Sequence, residues 1–246
     1  MPESISLLST KEYPGRIIIV GKPKKNGDIC VVYAITARSA SSQARRLELE
    51  KDTIWVKPTS KDLLKKGNLD LLIYPCIFCL AQGIAVGNGR QNVDVMACLG
   101  QGGGASGILS FALQRWNFEP DAPAYTPRIS GCVLPGGSSA LSLIKRSPDA
   151  TTLRNVYEFR LTPGRGMMIM TYRGENMDPL PAYKGEPIQV ELEGISSKQV
   201  ADSVYRALAP EKGGKDLRVS VACVFAKEKD MSRFDTHIIN RVERTK

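Results

Sequence analysis

Residues 217–226 read LRVSVACVFA, and the spacing of their apolar positions decides the fold class. Leu217, Val219, Val221, Cys223 and Phe225 alternate at period two, the repeat of one face of a β-strand. Ala222 and Val224 make the opposite face apolar as well, which predicts a strand packed between two layers. Outward from this segment, β-branched and apolar runs at residues 17–20, 29–36, 53–56, 69–80, 84–86, 156–161, 167–172 and 189–192 read as further strands. Two segments carry helical spacing. Residues 106–116 hold Ile108, Leu109, Phe111, Ala112 and Leu113, and residues 197–208 hold Val200, Val204 and Leu208 four apart, with Ser196 or Ser197 as N-cap. Many strands and few helices predict an α/β (α+β) protein of sheets covered by helices, not a doubly wound nucleotide fold. No linker or internal repeat divides the chain, so residues 1–246 are expected to form one domain, with ordered loops at 131–139 and 172–187.

The totals bound the function. Hydrophobic residues make up 42% and charged residues 24%, close to the average for soluble globular chains. No run approaches the roughly 18 to 20 apolar residues that span a bilayer. The first residues lack a basic stretch leading into an apolar core, and a cytoplasmic protein is expected. Lys and Arg outnumber Asp and Glu by 34 to 25, for a net charge of +9. Such a surplus attracts nucleic acid, anionic membrane or a phosphorylated metabolite. The basic pairs Lys24-Lys25, Arg45-Arg46 and Lys65-Lys66 are dispersed without stacking aromatics between them, which gives a nucleic-acid track no support. Neither nucleic acid nor membrane is expected as a partner.

Several chemistries drop out. His237 is the only histidine, so a Ser-His-Asp triad or a histidine-based metal centre lacks its residues. His237 itself, in the strand-like FDTHIIN, reads as structural. The six cysteines lie in apolar segments and read as reduced, buried thiols, including the CxxC of Cys76 and Cys79. Gly102, Gly104 and Gly107 satisfy GxGxxG, but neither a preceding strand nor an acid at the end of a following one accompanies them, so a glycine-rich turn is the better reading. No metal and no cofactor is expected.

Five segments combine anion-gripping side chains with loop-forming backbone. YPGR, residues 13–16, opens the first strand, and RSASSQAR, residues 38–45, carries Arg38 and Arg45, whose guanidinium forks match phosphate oxygens. Tyr74 interrupts an apolar strand. Asn88 stands in GNGRQ, which suits either a hairpin Asn-Gly turn or an outward-directed amide. WNFEPDAPAYTPR, residues 116–128, uses three prolines to frame Glu119, Asp121 and Arg128.

In this order, with FEPDAPAYTPRISG and YRGENMDPLPAYKGEP, these motifs resemble the IMP cyclohydrolases of archaea and their bacterial relatives over roughly residues 12–242. The resemblance implies a four-layer αββα sandwich of mixed, mostly antiparallel sheets, similar to N-terminal-nucleophile hydrolases but without their nucleophile. It implies dehydrative closure of a formamido-imidazole-carboxamide ribonucleotide (FAICAR) to IMP, in a homo-oligomer, without metal or cofactor. Its matched positions imply Tyr74, Glu119 and Arg45 as catalytic and Arg38, Asn88, Asp121 and Arg128 as substrate-binding. Arg38 and Arg45 would anchor the phosphate, Asn88 and Arg128 would meet the base and its developing oxyanion, and Tyr74 with Glu119 would move protons. The chain departs from the relatives in GRGMMIMTY, where Met167, Met168 and Met170 stand at positions expected to carry histidine. A relative that binds purine nucleotides without turning them over, or acts on an altered substrate, is the alternative.

Overall fold

The computed structural model describes residues 2–25, 27–60, 73–210 and 214–244. A six-stranded sheet runs in the order β11-β10-β1-β2-β12-β13, built from β1 (Arg16–Lys22), β2 (Ile29–Thr36), β10 (Arg165–Met170), β11 (Ile188–Glu191), β12 (Arg218–Lys227) and β13 (Asp230–Asn240). A seven-stranded sheet follows chain order: β3 (Arg45–Glu50), β4 (Thr53–Pro58), β5 (Tyr74–Leu80), β6 (Gly83–Gly87), β7 (Arg128–Val133), β8 (Ser138–Arg146) and β9 (Thr152–Arg160). Every ladder between these strands is antiparallel, and parallel pairing is confined to isolated bridges such as Glu3 with Val190. The sheets, expected to be mixed and mostly antiparallel, are antiparallel at every strand ladder: short hairpins join most neighbouring strands, and hairpins produce antiparallel pairs.

The sheets face each other through contacts of β12 and β13 with β3 and of β1 with β7. Helix α4 (Ser197–Ala207) covers the six-stranded sheet, while α2 (Gln91–Cys98) and α3 (Ala105–Leu113) cover the seven-stranded one. The layers are therefore helix, sheet, sheet, helix. The apolar faces of β2 and β12 explain the arrangement: all eight residues of β2 and the eight central residues of β12 are buried, since each strand touches both neighbouring layers. Ser196 caps α4, its hydroxyl accepting from Gln199 N–H at 3.3 Å.

Residues 131–139, expected as a loop, form the β7–β8 hairpin, with Gly136 and Gly137 at positive φ in its turn. GNGRQ ends β6 and enters α2, so the Asn-Gly pair makes no hairpin. Gly104 caps α3 and follows the turn after α2, which removes the strand a Rossmann loop requires. The expected strand at 69–80 begins at Tyr74 in the structure; its residues 69–72, like Lys65 and Lys66, lie outside the described residues. All six cysteines are buried and free. No helix among the described residues is long and apolar enough to cross a membrane.

Candidate active site

Three chain segments converge at the end of the sandwich where β1 begins and β2 ends. YPGR enters β1 through Gly15, at φ +77°, and a Cβ there would lie 2.0 Å from Thr171 Oγ1 and 2.6 Å from the Tyr172 ring. Only glycine lets the strand entry approach this closely. Thr171 Oγ1 accepts from Arg16 N–H at 3.1 Å, and Gly15 N–H donates to Thr36 Oγ1 at 3.0 Å. Past β2 the chain makes a short helix, α1 (Ala40–Gln43), and turns into β3 at Arg45. The proline-framed loop closes the far side through Asp121, whose carboxylate accepts from Thr126 N–H at 2.7 Å and from the Thr126 hydroxyl.

Between these segments lies a cleft of about 320 Å³ lined by Arg16, Arg38, Arg45, Glu119, Asp121 and Tyr172, among others. A larger hollow of about 470 Å³, with Lys11, Glu12, Leu208 and Lys215 in its wall, contains none of the expected site residues. We locate the site in the smaller cleft because buried cations converge there. Arg45 is 1% exposed; its Nε donates to the Ser42 carbonyl at 2.8 Å, and both terminal nitrogens are buried without an acceptor among the described residues. Arg16 Nε is in the same condition. A buried donor left unbonded is expensive, and a buried charge more so, unless a ligand completes it. Burial opposes both charges. At Arg16 the surrounding Tyr74 and Glu119 outweigh that opposition and hold the guanidinium well above its ordinary value. At Arg45 burial prevails, the charge of Arg16 adds to it, and the group is pulled below its ordinary value.

Glu119 faces these arginines and is 4% exposed. Burial pushes its carboxyl up to about 7, against the lowering pull of Arg16, Arg128 and Arg45 and with a further upward push from Asp121. Arg128 favours the ionised form but only weakly, because its Nη1 stands 3.6 Å from Glu119 Oε1, beyond hydrogen-bond reach. Desolvation therefore dominates. The carboxyl divides its time between acid and base near neutral pH, as a group that must both take and return a proton requires.

A raised carboxyl pKa has a defined effect on stability. The folded chain holds the Glu119 proton more tightly than the unfolded chain, whose carboxyl titrates near 4.5, so stability from this group is full below that value and is lost as pH rises toward about 7. Glu119→Gln should flatten this decline. Denaturant unfolding at pH 5 and pH 7.5 measures it, and a variant with the wild-type pH slope would rule out the assignment.

The remaining expected residues fall into two groups. Arg38 stands at the rim over the Tyr13 ring, 5.3 Å from its centroid, and is tied to the 176–178 loop by an ion pair with Asp178 at 3.0 Å. Asp121 lines the cleft while bracing its own loop. Tyr74, Asn88 and Arg128 sit behind the lining. Tyr74 begins β5, fully buried, its hydroxyl 2.8 Å from that of Tyr33 and close to both inner arginines. Asn88 is consumed by the scaffold: its Nδ2 donates to Pro127 O, and its Oδ1 accepts from Gln91 Nε2 and Ile129 N–H, each at 2.9 Å. Arg128 donates Nε to Asn117 O at 2.8 Å and Nη1 to Gln91 Oε1 at 3.0 Å, with its guanidinium over Trp116. Gly89 makes room for this arrangement, since a Cβ there would come within 2.7 Å of Arg128 Nη1. Asn88 and Arg128 thus position the loop that carries Glu119.

The cleft also contains residues to which the motifs assign no role. Arg16 is one. Tyr172 stacks on Tyr13 with centroids 5.5 Å apart, and its hydroxyl is 2.7 Å from Thr126 Oγ1. Arg16 closes the YPGR motif, so an arginine after a positive-φ glycine was a usable signal; Tyr172 gave none in isolation. Met168 and Met170 are buried in the main hydrophobic core, and Met167 packs against it. None of the three lines the cleft.

A four-layer α+β sandwich whose cleft sets buried arginine nitrogens, without an acceptor among the described residues, beside a carboxyl pushed up to about 7 defines a class of protein able to hold a small anion and to exchange protons with it. The chain belongs to a particular family of that class: residues 13–230 match the model of the IMP cyclohydrolase-like proteins. A search of curated proteins finds no match.

Proposed function

We propose that this chain is an IMP cyclohydrolase, closing FAICAR to IMP with loss of water. The observation that carries the reading is the pairing of unsatisfied Arg45 and Arg16 nitrogens with the Glu119 carboxyl across one cleft. A ribose phosphate supplies several oxygens to guanidinium forks, and bonds of this charge-assisted kind are the strong ones. Arg45 grips it from within and Arg38 from the rim.

Both reacting groups of FAICAR are on one imidazole ring, so holding the formyl carbon against the carboxamide nitrogen supplies much of the acceleration. Attack by the carboxamide nitrogen forms the new C–N bond while a proton of that nitrogen passes to the former formyl oxygen, giving a carbinolamine; the formamido nitrogen then loses its own proton as the C=N bond forms, and the hydroxyl gains a proton and leaves as water. Glu119 takes the first proton as carboxylate and returns it as acid, which a pKa of about 7 permits in either direction. Arg16 stabilises the oxyanion that develops during attack. Tyr74, through its bond to Tyr33 and its closeness to the arginines, tunes that charge from behind and touches no substrate atom in this reading. Tyr74→Phe should then reduce kcat by less than tenfold with KM unchanged. A loss of 100-fold or more would make the phenol a direct proton donor.

The test of the function is incubation of the purified protein with FAICAR while IMP formation is followed by absorbance. Product above the spontaneous rate supports the enzyme. Tight binding of IMP with no product would instead support a nucleotide-binding relative that lacks turnover.

A further inference from the structure

The strands at the ends of a sheet present unpaired backbone groups, and native proteins cover or blunt them. On the seven-stranded sheet β3 is capped: Asn240 Oδ1 accepts from Leu47 N–H at 2.8 Å and its Nδ2 donates to the Leu47 carbonyl at 3.0 Å. On the six-stranded sheet β11 is four residues long and is flanked by Glu3, which donates to Gln189 O at 2.8 Å and accepts from Glu191 N–H at 2.9 Å. The other end, β13, is broken by a register shift near its start. β9 has none of these protections. Its nine residues, TLRNVYEFR, contain neither proline nor lysine and pair with β8 in unbroken register. Among the described residues, no backbone hydrogen bond reaches its outer edge.

We infer that β9 pairs antiparallel with β9 of a second copy of this chain, about a two-fold axis through Val156. The inference is independent of the cleft and its chemistry. Two identical edges can pair only when facing residues turn the same way, so the axis must pass through a residue and not between two. An axis through Tyr157 would set Arg154 against Arg160 twice, like charge on like. An axis through Asn155 would leave Phe159 and Arg160 unpaired and set Arg154 against Val156.

The axis through Val156 pairs the whole strand. Arg154 then faces Glu158 of the second copy, twice, and Leu153 faces Phe159, twice. In each chain the charged pair is already oriented by α3 and the turn that follows it: Glu158 Oε2 accepts from Ser106 Oγ of the helix at 2.7 Å, and Arg154 Nη2 donates to Trp116 O of the turn at 2.8 Å. Both residues are exposed, and Leu153 is 43% exposed, apolar surface that the pairing would cover. The charges on this edge therefore select one partner, itself, in one register.

Sedimentation or light scattering should give the full-length protein a mass twice that of the 26.9 kDa chain at micromolar concentration. Glu158→Arg sets Arg against Arg at both sites and should yield monomer, and the charge-swapped double variant R154E/E158R should restore the dimer. Cysteine cross-linking reads the register without relying on charge. Val156→Cys lies on the axis and should form an intermolecular disulfide under mild oxidation. Leu153→Cys, about 20 Å from its twin at the rise of an extended strand, should not. The native cysteines are buried and add no background. A monomeric wild type, a dimeric Glu158→Arg protein, or equal cross-linking at positions 153 and 156 would each overturn the inference.

Discussion

Replacement of Glu119 by Gln should lower turnover of FAICAR by roughly 100- to 10,000-fold, the range in which a positioned acid–base group contributes. The amide keeps the shape of the side chain and fills the same buried volume but can neither accept nor return a proton at neutral pH. Because the wild-type carboxyl is already half neutral near pH 7, the variant meets no new burial penalty and should fold normally. The effect should fall on kcat, with substrate affinity changed little. In the wild type the rate should also inflect near neutral pH, and that inflection should be missing from the residual rate of the variant. Steady-state kinetics from pH 5.5 to 8.5, with IMP affinity measured separately, distinguishes the cases. Turnover within about threefold of wild type would exclude Glu119 from proton transfer.

Arg45→Met should move stability and function in opposite directions. In the free protein Arg45 buries a charge beside that of Arg16, with one hydrogen bond at Nε and, among the described residues, none at its terminal nitrogens. Replacing inadequately compensated buried charge with an apolar side chain of similar volume is often stabilising by about 1–4 kcal/mol. The Tm of the free protein should therefore rise. Substrate binding should weaken by the worth of hydrogen bonds to a charged group, about 1.5–3 kcal/mol, or on the order of 10- to 150-fold in Kd. Calorimetry on the free protein and titration with IMP give the two numbers. A variant that is both less stable and unimpaired in binding would mean that Arg45 is a structural residue. The same opposition explains why such a cation persists: strain of this kind is kept where a ligand relieves it.

Much of the framework was legible in the amino-acid sequence because strands apolar on both faces leave few alternatives. β2 and β12 read directly as buried strands. β3 did not, since RRLELE alternates with charges on one face and follows a polar, serine-rich segment. Residues 131–139 looked like a loop because two glycines marked the turn, while the alternating residues beyond it were weakly apolar. The short helix α2 was hidden behind an Asn-Gly pair that also suits a hairpin.

The site divided in a similar way. Arg38, Arg45, Glu119 and Asp121 could be named from residue chemistry and motif order, and all four line one cleft. Asn88 carries the same motif signal, yet three internal hydrogen bonds occupy its amide. Gln91, within GNGRQ, supplies one of these bonds, but the two that fix the amide in the scaffold come from residues 127 and 129, about 40 positions away, so the motif alone does not distinguish an amide that meets a ligand from one that holds a loop.

Local patterning by itself determined the strand-rich class, the exclusion of histidine-based chemistry and the residue types available to grip an anion, since each depends only on composition and on neighbours within a few positions. Only the tertiary structure decided which arginines lose their water without gaining an acceptor, and that Glu119 titrates near 7. Both depend on burial, and burial is created when β1, β3 and the 119–128 loop, distant in the chain, close over the same small volume.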